Sequence, residues 1–544
     1  MKHLLSRIIK SIEDAPITLS SFVMAFFTLI ITRLLIENTL GLFQDHAFFF
    51  FFFEFTHTFL FFLCSFLLLV FLVRYAGAIS FQKATNVLLF GFLIILTPPL
   101  IDNLIFRGSS FWSFYAFDGF LGLIHRYFTL FGDRPDMGIT YGVRVEVVVV
   151  TLMLGLYTFI KSQSKKKALI VSLLAYTILF ILGTFPAWLT LGILTFEKGF
   201  FAINQNDVAG LFLTPENIFA RNLVDFRSVL NVKMSIVYSV LSSLLVGMLL
   251  FREYSKYFFA LLKNIRLPQI IYHGGLLFLG MALSFFFTEA PLSLDFFHIT
   301  GTIALVIAVE SAWIASVIAN DCFDKHIDTV TNKDRPLIEN AIPEELYKTF
   351  GILFFITSLI FSGIISFGAM LLLLGYQAIA WLYSASPLRL KRFPIIATIF
   401  AAFAGIIILI IGFLVVAPDN SIKTLPLPLI FYLFTAYALC LPIKDFKDIA
   451  GDKKDGVYTI PVLLGAKKAQ LFIGSLMFLL YMFSPIILNA RFLFFPALIF
   501  GSIAFWAIQK GEENNSSFFS FRKLPGIVLA ITALYGLAIT LLLF

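Results

Sequence analysis

Long apolar segments recur along the whole sequence, and they limit the chain to a membrane fold. Many are 18 residues or longer, which is enough for a helix to cross a hydrocarbon core of about 30 Å. The composition agrees, because 60% of the residues are hydrophobic and 13% are charged, whereas soluble domains have about 25% charged residues. The sequence therefore predicts an all-α polytopic membrane protein.

The apolar segments form two groups, six before residue 257 and nine after it. The fifteen predicted spans lie near residues 18–36, 47–73, 86–101, 143–160, 168–192, 234–251, 268–287, 298–320, 347–367, 369–386, 394–417, 425–444, 467–488, 491–508 and 524–543. The basic stretch 252–266 separates the two groups. Six spans would return the chain to the side of the membrane where it began, so this stretch is a natural domain boundary. We therefore predict an N-terminal module of about six membrane helices at 1–256 and a nine-helix membrane domain at 257–544.

Lysine and arginine occur mainly in alternate connections between these spans. The basic connections are those at 161–167, 252–266, 389–392 and 444–454, whereas 288–297 contains neither residue. Short basic loops stay on the cytoplasmic side of a membrane. We expect a cytoplasmic N-terminus, cytoplasmic basic loops and an external C-terminus, in the cytoplasmic membrane of a prokaryote. This distribution also accounts for the net charge of +8 without a nucleic-acid partner.

An acidic ladder follows the predicted span at 298–320. Asn320, Asp324 and Asp328 are four residues apart, so on a helix they project from one face. Like charges at this spacing repel each other, and a divalent cation would reverse that effect. Magnesium prefers hard oxygen ligands and typically binds one or two carboxylates together with phosphates and water. The ladder therefore predicts a Mg²⁺ site.

A second ladder follows the predicted span at 425–444. Asp445, Asp448, Asp452 and Asp455 are spaced by three, four and three residues, and we expect them on one helical face at the same side of the membrane. Two facing acidic clusters suit magnesium ions that bridge a diphosphate. The plainer alternative is a pair of solvated loops with weak surface ion pairs; it explains a single aspartate better than two ladders.

Basic and aromatic residues accompany the ladders. Lys333 and Arg335 lie in NKDRPL, and the segment YSASPLRLKR contains Tyr383, Arg389 and Lys391. Such cations suit the oxygens of a diphosphate, and the phenol of Tyr383 is a candidate to face an allylic carbon.

The motifs NDCFDKHID, NKDRPL, YSASPLRLKR and KDFKDIAGDKKDGVYTIPVLLG, in this order, resemble those of the UbiA superfamily of intramembrane prenyltransferases. The resemblance covers about residues 257–544 and implies a nine-helix UbiA-type bundle, in agreement with the nine predicted spans. Residues 1–256 lie outside it.

The family pattern, transferred residue by residue, implies a role for each motif. The Mg²⁺ and diphosphate ligands implied are Asn320, Asp324, Asp328, Asp448 and Asp452, with Asp445 as a supporting acid. The implied diphosphate-binding cations are Arg266, Arg335, Arg389 and Lys391, to which the residue pattern adds Lys333. Asp324, Asp448 and Tyr383 are the implied catalytic residues.

The implied chemistry is ionisation of an allylic prenyl diphosphate and capture of the carbocation by an acceptor, either an aromatic ring or a hydroxyl. One alternative is a terpene cyclase of the same family, which needs no acceptor. Another is a membrane transporter or scaffold that uses the ladders as an ion site. Transporter sites usually lie near the bilayer midplane, whereas these acids flank spans at one face.

Three further polar features lie inside predicted spans. Glu310 is fourteen residues before Asp324 and near the same face, where it either lines an acceptor pocket or pairs with a polar group of another helix. In the N-terminal module, the pairs Arg33 with Glu37 and Glu54 with His57 have helical spacings, and we interpret them as local pairs inside the membrane.

Overall fold

The computed structural model describes residues 2–40, 48–106, 119–132, 139–219, 221–288, 294–418, 421–454, 458–514 and 516–543. These residues are predominantly α-helical, which confirms the predicted fold class. Fourteen of the described helices are long and apolar enough to cross a membrane. The chain is therefore an integral membrane protein.

The helical elements follow one another with short connections. The N-terminal helices are α1 (Lys2–Glu13), α2 (Leu19–Leu40), α3 (Phe48–Tyr75), α4 (Phe81–Gly91), α5 (Thr97–Phe106), α6 (Gly119–Phe128), α7 (Tyr141–Ser162), α8 (Lys165–Gly183), α9 (Phe185–Lys198), α10 (Gln205–Leu213), α11 (Phe226–Glu253) and α12 (Ser255–Asn264). The C-terminal helices are α13 (Leu267–Thr288), α14 (Phe296–Phe323), α15 (Lys325–Thr331), α16 (Glu344–Ile365), α17 (Phe367–Ser384), α18 (Pro394–Val416), α19 (Leu427–Cys440), α20 (Ile449–Lys454), α21 (Ile460–Leu464), α22 (Ala466–Ile487), α23 (Phe494–Gln509) and α24 (Leu524–Leu543).

Shorter elements also occur among the described residues. The 3₁₀-helices are Phe92–Leu96, Leu390–Arg392, Leu441–Asp448 and Arg491–Leu493. Two strands, β1 (Glu216–Ile218) and β2 (Arg221–Leu223), pair antiparallel with Asn217 opposite Asn222. The apolar pattern of the sequence did not predict this small hairpin.

The observed spans agree closely with the predicted ones. Six of the fourteen observed spans precede residue 257. The fifteenth predicted span corresponds to α24, in which the described apolar segment Leu524–Ile539 is shorter than the other spans. Some boundaries differ; for example, the span expected at 168–192 divides into α8 and α9. Pro186 lies in the first turn of α9, where its missing N–H has no helical partner to lose.

The described residues form two compact units. The first comprises Met1–Phe258 with Leu294–Ala304, and the second comprises Phe259–Ser293 with Leu305–Phe544. The division at 256 and 257 stays a prediction.

Ion pairs are built into the first unit. Arg33 lies 3.0 Å from Glu37, as expected for a local pair, and it also lies 3.5 Å from Glu146 on α7. Because unpaired charges are costly within a membrane, these pairs allow α2 and α7 to bury charged side chains.

The second expected local pair is wrong. Glu54 lies 3.6 Å from Arg227, and His57 Nδ1 lies 2.8 Å from Asn231 Oδ1. Both partners are on α11, which packs along α3, so the polar side chains of α3 point to the neighbouring helix and not to each other. Helical spacing allows a local contact but does not exclude a better one across a helix interface.

Close packing of α13 against α18 is the main feature of the second unit that positions the site. Gly280 and Gly412 lie at this interface, and a Cβ atom at either position would overlap a backbone carbonyl oxygen of the facing helix, that of Leu409 or Leu277 respectively. Small residues let membrane helices approach this closely. The interface holds α13 in place, just after Arg266.

Candidate active site

The first acidic ladder keeps its spacing although α14 ends at Phe323 and α15 begins at Lys325. Backbone N–H groups of Asp324 and Asp328 donate to the carbonyl oxygens four residues earlier, each at 2.9 Å. Asn320, Asp324 and Asp328 therefore lie on one helical face. Asp324 and Asp328 are buried.

The segment that follows α17 contacts this ladder directly. Arg389 Nη2 donates to Asp324 Oδ1 at 2.6 Å, and Lys391 Nζ forms an ion pair with Asp324 Oδ2. Lys391 Nζ and Ser384 Oγ each donate to Asn320 Oδ1 at 3.0 Å. The structure thus brings the predicted loop cations to the ladder.

Asp321 lies beside the ladder but plays a different part. It is 1% exposed, and its Oδ2 accepts hydrogen bonds from Asn264 Nδ2 at 2.7 Å and from Tyr347 Oη at 2.8 Å. Its Oδ1 lies 3.5 Å from Arg335 and 3.6 Å from Arg266. Asp321 therefore holds two of the predicted diphosphate-binding arginines near the ladder.

Sequence reasoning missed this network. The four-residue spacing left out Asp321, and no local signal marks Asn264 or Tyr347 as its partners, because these lie 57 and 26 residues away in the chain. The NDCFDKHID segment itself contained the signal, since an aspartate next to a ladder position must face another way.

The residues Asn320, Asp324, Asp328, Arg266, Arg335, Arg389 and Lys391 are called the polar cluster below. Lys333 lies outside it: its side chain is exposed, and it makes no hydrogen bond or ion pair with the described part of the chain. Its assignment to diphosphate binding stays a prediction.

Several buried atoms of the polar cluster lack hydrogen-bond partners among the described residues. They are two guanidinium nitrogens, Arg266 Nη2 and Arg389 Nε, and one carboxylate oxygen, Asp328 Oδ2. An unsatisfied buried polar group costs about 1–3 kcal/mol, and more when charged. The unpaired donors suit an anion, and the unpaired oxygen suits a cation.

Burial also shifts the protonation of the cluster. It raises the pKa of the Asp328 carboxyl above its ordinary value, and the carboxylates of Asp321 and Asp324 act in the same direction, against Asn332 and Arg335. A raised pKa favours the neutral acid. A metal ion that binds Asp328 would therefore displace a proton that is held more tightly than the proton of an ordinary aspartic acid.

Burial likewise lowers the pKa of the Lys391 ammonium, although the negative charge of Asp324 opposes the shift. Both effects follow from bringing charged groups out of water. The acidic and basic side chains of the site therefore balance each other's charge. Binding of an anion or a cation would change the pKa values of these side chains.

The second ladder begins on the 3₁₀-helix Leu441–Asp448 and continues on α20. Asp445 is half-buried and Asp448 is exposed, and a spacing of three places them on one face of a 3₁₀-helix. Asp448 lies 3.8 Å from Lys447, a surface pair. The side chain of Asp452 and all of Asp455 lie outside the described residues.

Lys444 relates the second ladder to the polar cluster. It interacts electrostatically with Tyr383, Asp445 and Arg266, and Arg266 interacts in the same way with Asp321 and Asp328. No direct hydrogen bond or ion pair between the two ladders occurs among the described side chains. The charges of Lys444 and Arg266 therefore act on acidic residues of both motifs.

Aromatic side chains lie beneath these polar residues. On four segments, a polar residue of the site and an aromatic residue are seven positions apart, which corresponds to two helical turns or about 10 Å. The four pairs are Arg266 and His273, Asn320 and Trp313, Tyr383 and Tyr376, and Lys444 and Tyr437. The inner members, with Tyr272, are called the aromatic layer below.

Ring contacts join the members of the aromatic layer. His273 lies 4.8 Å from Trp313 and 6.1 Å from Tyr376, measured between ring centroids. Tyr272 stacks on Tyr437 at 4.8 Å. The polar cluster thus sits above a set of packed rings from α13, α14, α17 and α19.

Glu310 lies one helical turn beyond Trp313 on α14. Neither of its carboxylate oxygens has a hydrogen-bond partner among the described residues, so the expected alternative of polar pairing with another helix is not formed there. Because Trp313 belongs to the aromatic layer, this position places Glu310 next to that layer.

Comparisons with known proteins agree with these features. Residues 276–523 match the model of the UbiA prenyltransferase family. The digeranylgeranylglyceryl phosphate synthase of Methanococcoides burtonii is 29% identical over 266 residues, which are 47% of this chain and 92% of that protein. The bacteriochlorophyll synthase 33 kDa chain of Cereibacter sphaeroides is 33% identical over 162 residues, 28% of this chain and 50% of that protein.

A solved structure of a UbiA homologue from Archaeoglobus fulgidus, bound to GPP and Mg²⁺, covers 51% of this chain and 98% of its own, with 22% identity and a TM-score of 0.39. The family match spans the motifs of both ladders and the segment between them. The part of this chain that matches the UbiA prenyltransferase family is therefore its C-terminal region, residues 276–523.

Proposed function

We propose that residues 257–544 catalyse the Mg²⁺-dependent transfer of a prenyl group from an allylic prenyl diphosphate to a lipid-soluble or amphipathic acceptor. The observation that carries this proposal is the polar cluster, where the buried atoms Arg266 Nη2, Arg389 Nε and Asp328 Oδ2 have no hydrogen-bond partner among the described residues. A metal-bound diphosphate would satisfy both kinds of group, since it supplies anionic oxygens and a divalent cation.

The donor set fits magnesium. The described side chains contain no group of three His, Cys, Asp or Glu residues close enough to hold an ion alone. Mg²⁺ usually binds through one or two carboxylates plus phosphates and water, and Asp328 with Asp324 offers that number. When bound, Mg²⁺ would neutralise charge on the departing diphosphate.

The cations have a matching task. Arg389 and Lys391 neutralise the charge of Asp324. When a metal ion neutralises Asp324 instead, the same two side chains would be available to bind diphosphate oxygens. Arg266 and Arg335, held by Asp321, would bind the remaining oxygens. We assign Asp445, Asp448 and Asp452 to a second metal contact, supported by Lys444.

The aromatic layer is suited to the prenyl chain. It lies about 10 Å inside the polar cluster, so an allylic carbon joined to the diphosphate would enter among Tyr383, Tyr376 and Trp313. Aromatic faces attract a developing cation, and a packed layer excludes water that would otherwise capture it.

The acceptor class is supported by the names of the relatives, which make digeranylgeranylglyceryl phosphate or bacteriochlorophyll. We propose an acceptor with a hydroxyl or an aromatic ring, approaching a site at the cytoplasmic face. The N-terminal module at 1–256 would be modulatory, since every proposed site residue lies after it.

Purified protein supplied with geranylgeranyl diphosphate, Mg²⁺ and a panel of acceptors tests the proposal. Mass spectrometry of the lipids should detect a prenylated acceptor, and diphosphate release should require the metal. A hydrocarbon product formed without any acceptor would instead establish a terpene cyclase. No metal-dependent diphosphate release from folded protein would favour the transporter or scaffold.

A further inference from the structure

Two residues next to the aromatic layer present polar atoms that the described protein leaves without partners. His273 is 5% exposed and its Nδ1 has no hydrogen-bond partner. The same is true of both carboxylate oxygens of Glu310. His273 contacts the rings of Trp313 and Tyr376, and Glu310 lies one helical turn before Trp313 on α14, so the two groups border one region.

The chemistry of these atoms indicates what they bind. Buried polar groups in proteins are nearly always hydrogen-bonded, and the exceptions are commonly functional. In the tautomer that carries its proton on Nε2, His273 Nδ1 is an acceptor, and the carboxyl group of Glu310 accepts a hydrogen bond in either protonation state. Their missing partner is therefore a hydrogen-bond donor.

The prenyl diphosphate does not supply that donor, because its hydrocarbon chain has none and its oxygens face the guanidinium groups of the polar cluster. A hydroxyl group on the acceptor does supply it. The position is also suitable, since His273 lies two turns inside Arg266, about 10 Å along the helix axis, toward the carbon that leaves the diphosphate.

We propose that His273 is the base that takes the proton of a hydroxyl-bearing acceptor, and that Glu310 binds the same acceptor through a hydrogen bond. This inference rests on the proposed prenyl transfer and assigns the residues that bind and deprotonate the acceptor. It makes an alcohol or phenol oxygen the nucleophile.

The step balances without another reactant. The bond between the allylic carbon and the diphosphate oxygen breaks, and its electron pair leaves with the diphosphate. A lone pair of the acceptor oxygen forms the new carbon–oxygen bond, and the hydroxyl proton moves to His273 Nδ1. The products are an ether, diphosphate and a proton that the imidazole later releases.

The test uses the full-length protein in detergent with geranylgeranyl diphosphate, Mg²⁺ and glycerol phosphate that carries one geranylgeranyl ether and a free hydroxyl. The variants are His273→Asn, His273→Gln and Glu310→Gln. Ser284→Ala is the matched control, because Ser284 is also on α13 and its buried hydroxyl oxygen also lacks a partner, three turns farther from the site. Ether formation, prenyl alcohol formation, prenyl diphosphate binding and thermal melting are measured for each.

The histidine variants should form the ether about 10²–10⁴-fold more slowly, the usual effect of removing a general base, while prenyl diphosphate binding is retained. Water should then capture a larger share of the ionised prenyl group as prenyl alcohol. Glu310→Gln should raise KM for the alcohol acceptor, and Ser284→Ala should resemble the parent. A structural role for His273 would not change the ratio of ether to alcohol.

Three results would overturn the inference. One is ether formation by His273→Asn within about threefold of the parent, too small an effect for a lost base. Another is parallel loss of prenyl diphosphate binding or folding in both histidine variants, which would make His273 structural. The third is a parent protein that prenylates only carbon atoms of arenes; prenyl transfer would then stand without the hydroxyl acceptor. A parent protein with no metal-dependent diphosphate release would instead remove the proposed function itself.

Discussion

Neighbouring aspartates in the first motif have separate tasks because the helix points them in different directions. Asp324 faces Arg389 and Lys391, whereas Asp321 is enclosed by Asn264 and Tyr347. In the proposed function, Asp324 would meet a metal and the substrate, and Asp321 would hold the arginines around them. Substitutions at the two positions should therefore differ in kind.

Replacement of Asp448 by asparagine tests the second ladder at an exposed position. The side chain is 51% exposed, so losing its surface pair should change the free energy of unfolding by well under about 1 kcal/mol. Turnover should nevertheless collapse, because lost metal binding removes several kcal/mol of transition-state stabilisation and each 1.36 kcal/mol is about tenfold in rate. Magnesium-dependent diphosphate release and a thermal melt in detergent are the measurements.

Glu345→Gln is the control for Asp448→Asn, because Glu345 is an acid with 88% side-chain exposure outside both ladders. It should retain parental turnover. Near-normal release of diphosphate by Asp448→Asn would remove the second ladder from the mechanism.

Asp324→Asn and Asp321→Asn form the corresponding test in the first motif. Both should lose turnover, but Asp321→Asn should also lower the melting temperature strongly. Removing one member of a buried ion pair costs about 3–5 kcal/mol, and Asp321, at 1% exposure, leaves Arg266 and Arg335 without their carboxylate. Asp324→Asn should be destabilised less, since the side chain of Asp324 is 11% exposed, whereas that of Asp321 is 1% exposed. Equal melting shifts would contradict this division of tasks.

Helix packing determines whether the residues on different elements reach one another. The contact of α13 with α18 depends on Gly280 and Gly412, where even a methyl group would meet backbone. Because Arg266 immediately precedes α13 and His273 lies on it, separation of these helices would displace both the polar cluster and the aromatic layer.

Gly280→Ala and Gly412→Ala should each destabilise the protein by about 1–3 kcal/mol, the usual cost of overpacking, and should reduce turnover with it. Gly275→Ala is the matched control on the same helix, because a Cβ atom there meets nothing within 4 Å. It should be neutral or stabilise by about 0.5–1 kcal/mol through a better helix propensity. Thermal melts and diphosphate release of the three variants would decide. Identical behaviour of Gly280→Ala and Gly275→Ala would argue against the close contact.

At the scale of the whole molecule, the proposed catalytic residues and the N-terminal module occupy different stretches of the chain. The polar cluster and the aromatic layer lie within the second compact unit, whereas Leu294–Ala304 groups with the first. In that segment, Phe297 lies 4.7 Å from Lys233 Nζ and His298 lies 5.0 Å from Phe219, to the ring centroids.

Residues 257–544 expressed alone should retain Mg²⁺-dependent binding of prenyl diphosphate, because every proposed ligand is present. We expect a lower melting temperature, since Phe297 and His298 lose these partners. Equilibrium binding of geranylgeranyl diphosphate with and without Mg²⁺ measures the outcome. Loss of binding in a well-folded fragment would place site residues in the first 256 positions.

The orientation can be tested in intact cells with a variant that lacks the three native cysteines. A cysteine at the exposed position Glu345 should react only with reagents that cross the membrane, since the basic loops are expected in the cytoplasm. A cysteine at Lys423, in the connection on the opposite side, should react with impermeant reagents. The reverse pattern would invert the proposed topology.

The sequence by itself determined the membrane fold, the approximate spans and the spacing of both ladders, because apolar length and helical periodicity are local properties. It also revealed the resemblance of the C-terminal region to the UbiA family, because each of the motifs is a short, continuous segment. Only the tertiary structure decided which partner each polar side chain takes. Glu54 and His57 bind across to α11, Asp321 joins Asn264, and Lys333 stays outside the cluster, because such contacts depend on how helices distant in the chain pack together.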